Sequence, residues 1–364
     1  MFKIIENRFL VKIGAFLINF SLKFYIPINP LIKVTVFNHF CGGVSESDCN
    51  PVINKMYSKN VCSVLDFSTE AFKNETEFDK CYKKKLSVLD FIKNRVEIPF
   101  AVFKPTCLGR IGLFEKISSD KKLNVMEEEE WGRVQFRFEG VCQKAFDNNV
   151  KILIDAEEVS VQKAIDDLTL KMMIKFNREK AIVYNTIQMY RWDRLDYMNN
   201  ILSDHSDIIF GFKLVRGAYM EKEREIANRL KIKSPICKDK ESTDMNFNLA
   251  IDLLFNNLDR ISFVCGSHNE DSILKIMKMM TKKNINKNDD KIWFGQLYGM
   301  SDNISFNLGI KGYNVFKILP FGPVRNLIPY LIRRAEENTS VKGQTGRELQ
   351  LILNERKRRK LEKI

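Results

Sequence analysis

Two adjacent arginines near the carboxyl end of the chain, Arg333 and Arg334, have the chemistry to bind a carboxylate. They lie in the segment PYLIRRAEEN. Neighbours on a helix point about 100° apart, so two guanidinium groups can flank one carboxylate, and each can donate a forked pair of hydrogen bonds. An Arg-Arg pair alone is more typical of a charged surface helix, and both interpretations stay open at this point.

Three further segments place reactive side chains where apolar segments end. Asp155 in IDAEE is a catalytic or substrate-ordering carboxylate, or a helix cap. Arg216, Gly217 and Ala218 in GFKLVRGAYMEKER form an anion site or only a tight turn, because small residues let backbone amides approach a phosphate. His268 in GSHNEDS is a structural histidine, or it contacts a bound anion or cofactor at a helix start.

Eight short apolar segments, rich in β-branched and aromatic residues, alternate with longer helical segments. Most are continuously apolar, which is typical of strands buried on both faces. The strand candidates are 61–67, 98–104, 150–156, 181–186, 208–216, 261–266, 291–297 and 314–320. Helical segments such as 127–149, 161–179 and 269–283 lie between them. The pattern predicts a TIM-like (β/α)8 barrel, with an N-terminal helical segment and a C-terminal helix.

The carboxyl ends of barrel strands are where the active sites of such folds lie. The side chains at those ends are mostly polar although the strands are apolar, so we expect them to converge. They are Lys104, Asp155, Thr186 to Gln188, Lys213 to Arg216, Ser267, His268, Gln296, Leu297 and Lys317 to Leu319.

The charge of the chain is strongly positive, and part of it is local. The net charge is +13 over 364 residues, of which 45% are hydrophobic, so a large core is available and global disorder is excluded. The basic segment 354–364 is interpreted as a solvated helix, an anionic-membrane patch or, third, a nucleic-acid site. No zinc-finger or RNA-binding signature supports the last. Apolar residues at helical spacing within 10–24 predict a packed amphipathic helix, or a membrane-surface or targeting segment.

Several classes of site are disfavoured. Eight scattered cysteines without a CxxC pair indicate reduced thiols, and three dispersed histidines predict no zinc or iron site. The sequence lacks a GxSxG elbow and the Walker and Rossmann fingerprints. A glycosidase with Asp155 and Glu157 or Glu158 is a weaker alternative, because the strand ends are cationic and amide-rich.

Six segments, taken in order, resemble the proline dehydrogenase family. They read IDAEE, VYNTIQMY, KLVRGAYMEKER, SHNE, FGQLYGMSD and PYLIRRAEEN. FKPTCLGR and LDFSTE fit more loosely. The resemblance covers nearly the whole chain, and the chain is similar to the single-function form, without the aldehyde dehydrogenase domain fused on in some relatives.

The resemblance implies a distorted barrel that binds FAD non-covalently and oxidises L-proline to Δ1-pyrroline-5-carboxylate. This is the first step of proline catabolism to glutamate, with electrons passed to a membrane quinone. Asp155 and Lys213 would be the catalytic residues, Asp155 in the network that orders the pocket and Lys213 near flavin N5. The substrate carboxylate would be held by Lys104, Arg333 and Arg334, and the ring packed by Tyr219, Leu297 and Tyr330. FAD would be held by Ala156, Gln188, Arg216, Gly217, Ala218, Ser267 and His268.

Several residues depart from the family pattern, one of them on the eighth strand. Ile318 stands where the family has Tyr and relatives acting on hydroxyproline have Ser. An apolar side chain offers no hydrogen bond to a ring hydroxyl, which favours unsubstituted proline. Hydroxyproline oxidation and a degenerate FAD-binding barrel with little turnover are the alternatives. Lys213 replaces a frequent Arg, Gly266 replaces a usual Ala, and Pro105 removes one amide after Lys104.

The predicted organisation has three parts: an N-terminal helical segment (1–60), the barrel (61–345) and a C-terminal basic helix (346–364). Quinone use, the basic tail and the amphipathic start predict peripheral membrane contact, with no nucleic-acid partner. We expect the cytoplasmic face of the inner or plasma membrane, with the matrix face of the mitochondrial inner membrane as the alternative.

Overall fold

Eight parallel strands form a closed barrel in which each strand pairs with the next along the chain. The computed structural model describes residues 32, 36–68, 72–340, 353–359 and 361, with the backbone alone for 335–340. The strands are β1 (Cys62–Phe67), β2 (Phe100–Phe103), β3 (Lys151–Ile154), β4 (Val183–Gln188), β5 (Phe210–Val215), β6 (Ile261–Gly266), β7 (Ile292–Leu297) and β8 (Val315–Phe321). The predicted (β/α)8 fold and its eight strands are confirmed.

Helices follow the strands in turn. After a helical turn at Asn38–Phe40 they are α1 (Asn50–Tyr57), α2 (Glu75–Ile92), α3 (Ile111–Ser118), α4 (Val125–Asp147), α5 (Val159–Phe176), α6 (Arg194–Asp204), α7 (Met220–Leu230), α8 (Lys240–Asn256), α9 (Glu270–Lys282), α10 (Asp302–Ile310) and α11 (Val324–Ser340). In the basic tail, 353–359 is helical. The predicted amphipathic helix within 10–24 lies outside the described residues. Within the described ranges, no helix is both long and apolar enough to span a membrane.

Local sequence signals set several helix starts. Asn124 and Glu127 form a reciprocal capping box at α4, where glutamates occupy the first turn, the end that the helix dipole makes favourable for anions. The side chain of Asn269 accepts a hydrogen bond from the amide of Ser272 at 3.0 Å. Asn269 is therefore the N-cap of α9.

Alternate residues of the strands fill the barrel interior. One cluster unites Val64, Phe100, Val102, Leu153, Ala181, Tyr184, Val264, Trp293 and Phe316. The ring of Phe100 makes edge contacts with Tyr184 at 5.4 Å and Trp293 at 5.3 Å between centroids. Gly295 leaves the space that the Phe316 ring fills, since a Cβ there would lie 2.8 Å from that ring. The lower barrel is therefore a packed core and not a channel.

The next inward layer is different. Because side chains alternate along a strand, the residue two positions beyond each core residue also faces inward, one layer nearer the carboxyl ends. Those residues are Lys104 after Val102, Asp155 after Leu153, Thr186 after Tyr184 and Ile318 after Phe316. Lys213 belongs to the same layer, because it pairs in register with Thr186. The apolar floor thus carries a mostly polar layer.

The chain divides into two compact units. The larger comprises Asn50–Phe67 and Ala71–Leu319, and it contains the barrel strands as far as Leu319. The other unit includes α11. Within it, Gly43 forms a parallel bridge with Phe321, supported by a hydrogen bond from the Gly42 amide to the Pro320 carbonyl at 2.8 Å. The domain boundaries at 60 and 345 stay a prediction.

Candidate functional site

One carboxylate is shared by two lysines at the carboxyl ends of three strands. Asp155 follows β3 and accepts hydrogen bonds from Lys104 Nζ at 2.9 Å and Lys213 Nζ at 2.5 Å. Lys213 is only 5% exposed, Asp155 16% and Lys104 29%. The predicted convergence of these three residues, which lie more than 50 positions apart, is confirmed.

The charges in this cluster support one another. Burial alone would raise the pKa of Asp155, but Lys104 and Lys213 together hold it well below its usual range. Burial lowers the pKa of Lys104, and the neighbouring Asp155 more than offsets this, so that the pKa lies well above its ordinary value. Asp155 therefore stays ionised near neutral pH and is a fixed anchor rather than a proton donor. It does not cap α5, whose N-cap position is Glu158.

Glu157 is a second buried carboxyl, which the sequence suggested only for the glycosidase alternative. Its two oxygens accept hydrogen bonds from the Thr106 amide at 2.9 Å and the Thr106 hydroxyl at 2.6 Å. Its carbonyl accepts a bond from Gln188 Nε2 at 3.0 Å, and its amide donates to Gln162 Oε1 at 2.8 Å. Burial raises the pKa of Glu157, although Lys104 and Thr106 act against this. The signal was its position two residues after Asp155, on the same side of an extended segment.

Two of the buried polar atoms on β4 that lack partners lie nearest the carboxyl end of the strand. Thr186 Oγ1 and Gln188 Oε1 have no hydrogen-bond partner within the described residues. Both side chains lie on the inward side of the strand, and Thr186 pairs in register with Lys213. A buried polar atom left unpaired costs roughly 1–3 kcal/mol, so these atoms mark a place where a polar ligand would satisfy the protein.

Arg216, after β5, is the centre of a second cluster. Its Nε donates to Asp244 at 2.8 Å, Nη1 to Ser267 Oγ at 2.9 Å and Nη2 to Ser272 Oγ at 3.0 Å. Its guanidinium also lies 4.5 Å from the Phe247 ring centroid. The structure thus brings together Arg216 and Ser267, which the sequence assigned to one ligand, and holds the guanidinium rigidly at the start of α9.

Gly217 and its neighbours form the turn that leads to α7. Gly217 has φ +126°, and a Cβ there would lie 2.5 Å from the ring of Tyr190. Only glycine fits this position. Ala218 is exposed and Tyr219 half-buried. The tight-turn interpretation is confirmed. The anion-site interpretation stays a prediction, and the geometry of the turn is compatible with it.

His268 is held by a serine on the following loop. Its Nδ1 lies 2.8 Å from Ser301 Oγ, and Ser301 has a left-handed backbone with φ +50°. Gln296 Nε2 donates to the Ser267 carbonyl at 3.1 Å and its oxygen accepts from Ser305 at 2.9 Å. The ends of β6 and β7 are therefore tied together around His268.

Lys317 on β8 was a strand-end residue without an assigned role. It is fully buried and donates to the Met300 carbonyl at 2.6 Å while pairing with Asp302 at 2.7 Å. It thereby fixes the loop after β7, where Leu297 is half-buried. Its signal in the sequence was a lysine inside an otherwise apolar strand.

Three predicted substrate residues lie on α11, in the other unit. Tyr330 and Arg334 are each 8% exposed, and Arg333 is half-buried. The Arg334 guanidinium lies 5.4 Å from the centroid of the Tyr330 ring one turn earlier. The surface-helix interpretation is therefore wrong for Arg334. The contact of these three residues with a substrate carboxylate stays a prediction.

Other site classes find no support in the described part of the chain. No group of three or more His, Cys, Asp or Glu residues there could hold a metal ion, and the eight cysteines are free thiols. The glycosidase alternative fails because Asp155 is bound by two lysines, Glu157 by Thr106, and Glu158 by Lys222 at 2.6 Å.

Together, these features define a class: an α/β-barrel protein with buried lysines at the carboxyl ends of its strands. The family model described as proline dehydrogenase matches residues 49–347. The chain belongs to the proline dehydrogenase family, a family of oxidoreductases.

Curated relatives match along most of the chain. Proline dehydrogenase 2, mitochondrial, from Arabidopsis thaliana is 39% identical, covering 90% of this chain and 79% of its own length. The carbapenem antibiotics biosynthesis protein CarD from Pectobacterium carotovorum subsp. carotovorum is 31% identical, covering 88% and 83%. The hydroxyproline dehydrogenase of Xenopus laevis is 37% identical, covering 61% and 49%.

Solved structures share the fold. Proline utilization A from Bdellovibrio bacteriovorus, inactivated by N-propargylglycine, matches with a TM-score of 0.71 at 21% identity. The match covers 85% of this chain, which spans about a third (33%) of that longer protein. This likeness supports the barrel fold and nothing finer.

Proposed function

We propose that this protein is an FAD-dependent enzyme that oxidises L-proline to Δ1-pyrroline-5-carboxylate and passes the electrons to a membrane quinone. Family membership supports the proline chemistry. The observation that carries the proposal is the convergence of Lys104, Asp155 and Lys213, which holds two cations in the inward layer where an amino-acid carboxylate would be received.

The residues present fit a bound flavin. Gln188 Oε1 and Thr186 Oγ1 are buried acceptors without partners among the described side chains, and a ring system with N–H groups would supply donors. FAD, when bound, supplies the two-electron oxidant for the reaction. In this proposal it is held by Ala156, Gln188, Arg216, Gly217, Ala218, Ser267 and His268.

The chain's own residues would hold and orient proline. The raised pKa of Lys104 keeps its ammonium charged, after Asp155 has more than offset the effect of burial. Lys104, with Arg333 and Arg334, would bind the carboxylate, and each charge-assisted bond contributes roughly 1.5–3 kcal/mol. Tyr219, Leu297 and Tyr330 would pack against the ring and exclude water. Asp155 would hold Lys104 and Lys213 in place and remain ionised, so the proton lost by the proline amine would go to solvent.

Two measurements test the proposal directly. Purified protein should show a flavin absorption band that L-proline bleaches without oxygen; a missing band, or a band indifferent to proline, would refute it. Arg334→Met should raise the proline KM roughly 10- to 100-fold and leave FAD bound. Arg133→Met, an exposed arginine that is 47% accessible, is the matched control and should leave KM unchanged.

Hydroxyproline oxidation is the second candidate function. It is motivated by the relative of that activity. Ile318, which is half-buried and packs on the interior cluster, argues against it. An apolar wall leaves a ring hydroxyl unpaired, so we expect higher kcat/KM for proline. Equal or reversed values would favour the second candidate. Tight FAD binding without turnover of either compound would indicate a degenerate barrel.

Peripheral membrane contact and quinone reduction complete the proposal. The exposed basic helix at 353–359, where Glu355 pairs with Arg358 and Arg359, adds a cationic element. A cytoplasmic membrane face is our first expectation and the mitochondrial matrix face the second. Fractionation of the source cells decides between them.

A further inference from the structure

We propose that an exposed loop at the site end of the barrel docks this protein on an anionic lipid bilayer. The loop comprises Arg229 to Ile236 together with Trp192, and we call it the docking loop. The inference rests on the proposed function, because an acceptor dissolved in a bilayer is what makes contact at this end of the barrel useful.

The docking loop is a folded structure with fixed ends. Lys231 ends α7 in a left-handed conformation with φ 55°. Arg191 then forms an antiparallel bridge with Ile236. Trp192 is bound twice, its indole N–H donating to the Ser234 carbonyl at 3.0 Å and its amide to the Pro235 carbonyl at 3.3 Å. These bonds hold the indole outward in a set orientation.

Strand connectivity places the docking loop beside the candidate site. Gln188 ends β4, and Trp192 follows four residues later. The Met189 amide donates to the Val215 carbonyl at 2.8 Å and the Tyr190 amide to the Arg216 carbonyl at 2.7 Å. The segment that carries Trp192 is therefore bonded to the segment that carries Lys213 and Arg216, at the carboxyl ends of β4 and β5.

Large apolar side chains on the docking loop are open to solvent. Trp192 is 48% exposed, Leu230 58% and Ile232 59%. Folding normally buries such side chains when it can, and a group of them at a loop tip marks an interaction surface.

Cations alternate with these apolar residues. Arg229, Lys231 and Lys233 are exposed, and none forms an ion pair with a described residue. Lys233 Nζ lies 4.1 Å from the Trp192 ring centroid. The stretch from 226 to 238 contains no acidic residue. Tryptophan and aliphatic side chains enter the headgroup region while Lys and Arg bind anionic headgroups, the pattern of interfacial anchors.

A second group of exposed apolar residues lies beside negative charge instead of positive charge. Val125 and Met126 at the start of α4 are 71% and 79% exposed, but they adjoin the four glutamates 127–130. Phe136, further along the same helix, is 69% exposed. An anionic bilayer would repel that surface. It provides a matched control with the same apolar chemistry and the opposite charge.

Vesicle co-sedimentation of the full-length holoenzyme tests the inference. With phosphatidylcholine and phosphatidylglycerol at three to one, each neutralised cation should lower partitioning roughly fivefold. The triple variant Arg229→Gln, Lys231→Gln, Lys233→Gln should therefore lose roughly a hundredfold at low salt. Replacing Trp192, Leu230 and Ile232 by Ser should lose at least tenfold. The controls Val125→Ser, Met126→Ser, Phe136→Ser and Lys121→Gln, Lys278→Gln, Lys282→Gln should bind like the parent protein.

Insertion of Trp192 into the bilayer is measured separately, by fluorescence quenching. Vesicles with brominated acyl chains should quench the fluorescence of the parent protein, and Trp192→Phe should remove most of that quenching. Absence of vesicle binding by the parent protein would overturn the inference. Parent-level binding by both docking-loop triple variants would also overturn it and would assign lipid contact to another surface, such as 354–364.

The same variants separate this inference from the proposed function. They should keep the flavin band and the proline-dependent reduction of a water-soluble dye, while turnover with a quinone embedded in the vesicles falls. If the parent protein has no flavin band, the proposed function fails, and the vesicle result still decides the docking loop. If a docking-loop variant loses lipid binding but keeps turnover with the vesicle quinone, lipid binding by this loop is not required for quinone reduction.

Discussion

Two regions of the molecule bury a cation against carboxylates, and they are balanced in opposite ways. At the strand ends, Lys104 and Lys213 share the single carboxylate of Asp155. Between α2 and α4, the guanidinium of Arg137, 3% exposed, is shared by Glu75 and Asp79, with Asp79 at 2.8 Å. In the first region two lysines bind one carboxylate, and in the second two carboxylates bind one buried arginine.

The difference separates a binding site from a structural bridge. Arg137 also donates to the Leu108 carbonyl at 3.0 Å, and Arg133 adds a second cation to Glu75 at 3.1 Å, so the outer cluster is neutral and satisfied. At Asp155, two lysines share one carboxylate beside the unpartnered acceptors of Thr186 and Gln188. Buried ionisable groups and unpaired polar atoms in one place indicate a ligand.

Removing the shared anion should have the largest effect. Asp155→Asn leaves two lysines without their buried partner, a loss worth about 3–5 kcal/mol, and should lower kcat/KM for proline roughly a thousandfold. Steady-state assays with a soluble dye measure it. Asp79→Asn, the matched change in the outer cluster, should stay within about twofold of the parent. A small change in kcat/KM for Asp155→Asn would contradict the distinction between a binding site at Asp155 and a structural cluster at Arg137.

Breaking the outer cluster should reduce stability and spare activity. Arg137→Met leaves the Leu108 carbonyl unpaired and removes charged hydrogen bonds, so the free energy of unfolding should fall by about 2 kcal/mol. Urea unfolding measures this, and kcat/KM of the folded protein should be unchanged. Arg133→Met, on the exposed edge of the cluster, should cost less than about 1 kcal/mol. Lost activity in folded Arg137→Met protein would contradict a purely structural role.

A smaller effect is expected at Thr106, beside the lysine pair. Thr106→Val removes the hydroxyl bond to Glu157 and keeps the amide bond, so unfolding free energy should fall by about 1 kcal/mol. Thr106→Ser keeps the hydroxyl and should restore most of it. Equal losses in both variants would point to packing of the methyl group and not to the hydrogen bond.

The pH dependence of stability should have opposite signs in the two regions. Burial raises the pKa of Glu157, so its contribution is fully present below the unfolded-state pKa of about 4.3 and is lost as pH rises through the folded value. Glu157→Gln should therefore gain stability relative to the parent as pH increases from about 4.5 to about 7.

The opposite pH dependence of stability is expected at Glu75. Burial would raise the pKa of Glu75, but Arg137 and Arg133 lower it overall, so its contribution is present above the unfolded-state pKa and is lost as pH falls through the folded value. Glu75→Gln should cost most near neutral pH and least in acid. Urea titrations across the same range measure both variants, and slopes of the same sign would refute the contrast.

Much of the site could be predicted because the ends of buried strands can be recognised in a sequence. Continuous apolar segments are a local property, and the residues that close them, such as Lys104, Asp155 and Lys213, are polar. Once a closed parallel barrel is assumed, its strand ends meet at one face. The role of Lys317 was not predicted. It was named as a strand-end residue, but its bond to the Met300 carbonyl fixes a neighbouring loop from inside a strand.

The sequence by itself determined the eight strands and the family, because hydrophobic periodicity and motif order act over short spans of chain. Only the tertiary structure decided that one carboxylate serves two lysines, that Thr106 holds Glu157 from 51 positions away, and that Trp192 is fixed by Ser234 and Pro235. Such pairings depend on barrel closure and strand register, which set the distance between residues whose separation along the chain carries no such information.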